Sequence, residues 1–213
     1  MSNSPSSAVA PDFATSTVAK PERMLDGFPW ISAIVLYTLS WGLSLLRPNT
    51  LYWDDWTIYF NMPADNGLKY LEIMGRAPWG GLVEYALLHL GQWAVCVVTF
   101  IVFFSVAVFL FGIISELPFL VDSQLRLTTL LFLVTPVNHA RIATTVFDYS
   151  SSYFLFFLGW LVLVRYKSVK SFVLAWVVLF LSLKTHSLLF FILLPLLHFV
   201  WLNKTQLVNS RRL

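Results

Sequence analysis

The chain has 213 residues, of which 58% are hydrophobic, 17% aromatic and 12% charged, against roughly 45–50% apolar and about 25% charged in a soluble domain. The formal net charge of +3 is spread over separate short clusters, which sets nucleic-acid binding aside and makes the basic residues topology signals. The single cysteine, Cys96, lies inside an apolar run, so neither a disulfide framework nor a cysteine metal cluster can form within the chain.

In chain order, residues 1–27 come first. They are rich in Ser, Ala, Pro and Thr with almost no large apolar side chain, and such a composition does not offset its ordering entropy, which predicts a disordered tail. The apolar run Phe28 to Leu46 follows. A span takes about 20 apolar residues and the core of a cleaved signal roughly 7–15, so the run reads as a retained signal anchor. Its exit is Arg47-Pro48, not a small-residue cleavage site.

A second span, Trp93 to Ile114, is uncharged throughout. The runs Leu127 to Val137 and Tyr153 to Val164 are each shorter than about 20 residues. They flank the polar stretch "NHARIATTVFDYSS", so either both helices extend into it or it is re-entrant. Ser171 to Leu183 and Leu188 to Leu202 are separated only by Lys184, Thr185, His186 and Ser187, which predicts a tight helical hairpin whose second arm is kinked at Pro195. The expected fold is all-α: a polytopic transmembrane bundle of about six spans over residues 28–213, with an outer juxtamembrane helical loop at 47–92.

Six spans with the N-terminus in the cytoplasm put Lys20, Arg23, Arg126, Arg165, Lys167, Lys170, Lys204, Arg211 and Arg212 inside, and Arg47, Lys69, Arg76, Arg141 and Lys184 outside. That excess favours this orientation, in a bacterial inner membrane or its equivalent, with the 47–92 loop periplasmic. The loop carries Asp54, Asp55, Asp65, Glu72 and Glu84. Asp65 or Asn66 can cap a short helix there, and "GRAPWGG" breaks it before a second helix begins. In that second helix Leu82, Val83, Ala86, Leu87 and Leu90 make one stripe. Glu84 is expected to face away from it, as in an interfacial helix lying on the bilayer.

The adjacent carboxylates Asp54 and Asp55 stand among Trp53, Trp56 and Tyr59. One of them can cap a helix entering Trp56 to Phe60 while the rings belong to an interfacial belt. Alternatively, paired carboxylates repel and need a proton, a cation or a hydroxyl donor, which suits a general base or a ligand for a divalent ion. Lys184 and His186 either surface in water or place a phosphate clamp at membrane depth. His89 and His139 read as satisfied structural histidines, and His198 as bonded to a neighbouring backbone. Asp148 with Ser150 to Ser152 either touches a hydroxylated ligand or caps a helix from Tyr153. No His, Cys and carboxylate spacing reads as a zinc site. "NKT" at Asn203 matches a glycosylation sequon on the inner side.

A first span, an Asp-Asp pair early in the first outer loop, a juxtamembrane helix and then further spans resemble the start of the multi-span GT-C glycosyltransferases, which use polyprenyl-phosphate sugars. "GRAPWGGLVEYALL" is similar to the segment after the acidic pair in bacterial and phage O-antigen glucosyltransferases. "HARIATTVFDYSSSYFLFFLGWLVLVRY" looks like their next outer loop and span. The resemblance covers Phe28 to about Lys170. It implies an inverting transfer of a hexose from a polyprenyl-phosphate donor to a polysaccharide or lipid acceptor at the membrane. Asp54 or Asp55 would be the catalytic base, and Arg76, Arg141, Lys69 and Lys184 would hold the departing lipid phosphate. Members of that family are longer, so the chain is expected to correspond to their N-terminal part. The alternative is a non-enzymatic membrane protein: a flippase-like or transport component, or a scaffold for an envelope complex.

Overall fold

A computed structural model describes residues 27–47, 49–51, 55–61, 78–117, 119–135, 143, 147–166, 168–183 and 186–210. Every regular element among the described residues is helical: α1 (Trp30–Leu46), α2 (Asp55–Asn61), α3 (Pro78–Leu90), α4 (Gln92–Ile114), α5 (Asp122–Val134), α6 (Phe147–Arg165), α7 (Val169–Ser182), α8 (His186–Phe191) and α9 (Leu193–Ser210). The all-α expectation therefore holds. Of the expected six spans, two helices have the length and apolarity to cross a bilayer, α4 with 23 residues and α6 with 19. At 1.5 Å per residue they measure about 34 and about 28 Å against a hydrocarbon core of about 30 Å. Apolar but shorter are the stretches Trp30–Gly42, Val169–Ser182 and Leu188–Lys204.

The boundaries have local causes. α5 stops at Val134 because Thr135, the residue before Pro136, has extended backbone at φ −60° and ψ 124°, the conformation a following proline imposes. Of the two readings of the polar stretch, the fourth run extends backwards into it, so that α6 begins at Phe147. Asp148 is thus in the first helical turn and not the cap of a helix from Tyr153. The last run breaks at Ile192, between α8 and α9, three residues before Pro195, whose ring displaces the carbonyl four residues earlier. Gly91 joins α3 to α4 at φ 119°, and a Cβ there would meet the Trp93 ring at 2.9 Å; the left-handed backbone and the close ring both call for glycine. Its N–H donates to the carbonyls of Leu87 and Leu88 at 3.1 and 3.0 Å, closing α3.

α4 is apolar on every side and packs against α1, α3, α5 and α6. Phe28 lies against Phe111, while Tyr37 and Trp41 lie against Phe100 and Phe103, so α1 and α4 run antiparallel. The Tyr37 hydroxyl donates to the Phe100 carbonyl at 2.8 Å, which satisfies the polar end of a side chain that is otherwise sunk in rings. Phe109 meets Phe154, and Ile113 packs with Leu161 and Val164, making α4 and α6 parallel. α7 returns after a short turn capped by Ser168, whose Oγ accepts from the Ser171 N–H at 3.1 Å. The rings of Phe172 and Phe199 then bring α9 beside α7. His198 accepts a hydrogen bond at Nδ1 from the Trp160 indole at 3.2 Å, so its partner is a side chain on α6 and not the neighbouring backbone the sequence suggests.

α6 and α7 meet through small residues one heptad apart, Ser152 and Gly159 on one side and Ala175 and Ser182 on the other, all buried. Small side chains let two apolar helices approach closely where lipid provides no hydrophobic drive. The approach is tight at Gly159: a Cβ would lie 2.8 Å from Leu179 Cγ and 3.1 Å from the Ala175 carbonyl oxygen and the Leu179 nitrogen. Gly159→Val is therefore expected to lower stability by about 2–3 kcal/mol, and Gly159→Ala by less, through overpacking against backbone that cannot yield. Denaturant titration of helicity in detergent checks the order.

Candidate functional site

The packing directions sort the helix ends into two groups. Phe28, Ile114, Asp122, Arg165 and Val169 belong to one end; the last residues of α1 and the first of α4 and α6 belong to the other. α2 follows α1 by eight residues, and α3 leads into the start of α4 while packing on both α4 and α6. Two buried carboxylates therefore lie at that second end, Glu84 on α3 and Asp148 on α6, exposed by 0% and 6%, and Asp55, on the short helix α2 that follows α1, is 1% exposed.

Asp55 is the first residue of α2, where the partial positive charge of free backbone N–H groups favours an anion. Ile58, one turn on, is equally buried, and Trp56 and Phe60 are exposed and stacked on each other with ring centroids 5.9 Å apart. The face bearing Asp55 thus points inward and an aromatic pair points outward. Of the six residues the sequence singles out, Asp55 falls within the described part. Asp54, Lys69, Arg76, Arg141 and Lys184 lie outside the described residues, as do His139 and the side chain of His186.

Glu84 corrects the expectation for α3. Leu82, Val83 and Leu90 are exposed, whereas Gly80, Gly81 and Glu84 are buried, so the helix turns its polar and small face to α4 and α6 and its apolar face away. This is the pattern of a helix packed in lipid surroundings, where apolar side chains need no cover and a carboxylate does. The pair of glycines three and four residues before Glu84 is the signal that identifies the packed face. On α6, Ser150 and Ser152 are buried near Asp148, and neither hydroxyl has a hydrogen-bond partner. Ser152 lies on the small-residue stripe facing α7. Ser150 lies on the other side of the helix, so the two hydroxyls do not form one cluster with Asp148.

Among the described residues no group of three His, Cys, Asp or Glu side chains could hold a metal ion. His89 is exposed and its Nδ1 lies 2.8 Å from the Tyr85 carbonyl, a local contact on its own helix. Asn203 of the sequon is inside α9, with its Nδ2 donating to the Phe199 carbonyl at 3.0 Å. At the opposite end Arg165 and Glu116 approach to 3.8 Å, tying the end of α6 to the end of α4. No protein-family profile matches the chain, and no curated protein or solved structure was found to be similar to it.

The inverted α3 generates a direct test. Glu84→Lys is expected to cost about 3 kcal/mol or more, since it places an uncompensated cation where a carboxylate is enclosed, while Val83→Lys on the exposed face leaves helicity in detergent intact. Circular dichroism and yield of folded protein distinguish the two variants.

Proposed function

We propose that the chain is a multi-pass membrane protein that transfers a hexose from a polyprenyl-phosphate carrier to a polysaccharide or lipid acceptor on the outer face, as a transferase or as the N-terminal portion of one. The membrane placement is supported by the apolar lengths of α4 and α6 and by a girdle of exposed large apolar residues, such as Ile31, Leu39, Ile101, Phe180 and Phe190, which a water-facing surface rarely gathers. The orientation rests on the cations: Arg126, Arg165, Lys170 and Lys204 are at one end and Arg47 at the other among the described residues. The richer end then faces the cytoplasm.

The observation that carries the transferase reading is the burial of Asp55 at the head of α2, on the segment that follows the end of α1. A carboxylate held beside an attacking hydroxyl can accept its proton. In the proposed step that oxygen bonds to the anomeric carbon, its proton passes to the carboxylate, and the bond from the anomeric carbon to the carrier phosphate breaks. The phosphate leaves with the electron pair, its charge met by Arg76 and Arg141 with Lys69 and Lys184. A divalent ion is compatible with the Asp54 and Asp55 pair as a further ligand.

One observation favours a second reading, a transport component or envelope scaffold without catalysis. An open apolar cleft of about 190 Å³ lies between α1 and α4, lined by Ile34, Tyr37, Thr38, Phe100, Ile101, Phe104 and Ser105, away from Glu84 and Asp148. The variants Asp54→Asn and Asp55→Asn, assayed in membranes for transfer of radiolabelled hexose from lipid carrier, decide between them. Loss of about 10²–10⁴-fold in at least one is the expectation for a general base. Wild-type transfer in both, or no transfer by the native chain, leaves the second reading.

A further inference from the structure

The end of the bundle opposite the carboxylates carries exposed cations set at the edge of lipid-facing surface on three different helices. Arg126 on α5 adjoins the exposed Leu127, Lys170 on α7 adjoins the exposed Val169 and Val173, and Lys204 on α9 stands one turn beyond the exposed Val200. The three share a level. The Phe172 and Phe199 rings are 5.7 Å apart, and both Lys170 and Lys204 lie on the same side of that contact. Arg126 is in the second turn of α5, whose start at Asp122 follows the end of α4 by seven residues and whose far half meets α4 through Phe132 and Phe103, which sets it at the same end. The acids described there are Glu116, which faces Arg165, and Asp122, exposed one turn before Arg126. None of Arg126, Lys170 and Lys204 makes an ion pair among the described residues, so their charge is available to the surroundings.

We propose that these three cations form a docking surface for the headgroups of anionic phospholipids, which they concentrate beside the bundle in the leaflet at that end. The inference rests on the membrane reading above and is independent of the transferase reading. Its basis is charge complementarity at a defined depth. A cation at the boundary between apolar side chains and water sits where a lipid phosphate lies, and its stem lies along acyl chains. Among the described residues the carboxylate end carries one Lys or Arg, Arg47, against three exposed at this end.

The test uses the full chain reconstituted in phosphatidylcholine vesicles with a trace of spin-labelled lipid, read by electron paramagnetic resonance. Motionally restricted label reports lipid in contact with the protein. Spin-labelled phosphatidylglycerol is expected to enter that shell about threefold in preference to spin-labelled phosphatidylcholine at low salt, with the preference shrinking as salt is raised. The triple variant Arg126→Gln, Lys170→Gln, Lys204→Gln brings the ratio close to one, and Arg47→Gln leaves it as in the native chain. A restricted component with no preference, or a preference that survives the triple variant, overturns the proposal while the membrane reading stands. Absence of any restricted component overturns both.

Discussion

The structure depends on covering α4, a helix with no polar side. Backbone hydrogen bonds within the helix satisfy its main chain, but the side chains around it need neighbours on every face or lipid in their place. Four helices supply the neighbours, and α1 and α5 do so with rings: Tyr37, Trp41, Phe103 and Phe132 lie in successive contact along one flank, with Phe28 and Phe111 edge to face near the end. Aromatic rings fill wide gaps between helices with few rotors to order, and each well-placed pair contributes roughly 0.5–1.5 kcal/mol beyond its area. Among the described residues much of the remaining surface is apolar and uncovered, which accords with the proposed membrane setting.

The second interface follows a different rule. Between α6 and α7 the bulk is removed so that the backbones can approach, and Gly159, Ala175 and the two serines are small for that reason. This also accounts for the buried hydroxyls of Ser152 and Ser182. The Ser182 hydroxyl donates back to the Leu179 carbonyl at 2.6 Å, so it needs nothing from across the interface. Ser152 is enclosed for its size. A polar atom buried for packing should not be counted as part of a binding site.

Charge is divided between the two ends of the bundle. Arg126, Lys170 and Lys204 are exposed at one end, in contact with headgroups in the proposed membrane setting, and Glu84 and Asp148 at the other are enclosed. Enclosing a carboxylate costs several kcal/mol unless its surroundings compensate, so Glu84 and Asp148 mark an end where the bundle holds polar structure within an apolar frame. Asp55 is enclosed on the separate helix α2, and its burial is what the transferase proposal is argued from.

Local sequence was enough for the helical class, the position of α4 almost to the residue, the break near Pro195 and the start of a short helix at the acidic pair. Each of these follows from local chemistry: uninterrupted apolarity, a missing backbone N–H, an acid at a helix start. Tertiary structure decided which face of α3 turns inward. A stripe of Leu and Val predicts the buried face of a helix in water and the exposed face of one in lipid, and periodicity is the same in both cases. Only the neighbours α4 and α6 show that Glu84 is enclosed. It was likewise packing, through the indole of Trp160, that set the partner of His198, and the backward extension of α6 that carried Asp148 from a cap into a buried first turn, because both depend on contacts between segments distant in the chain.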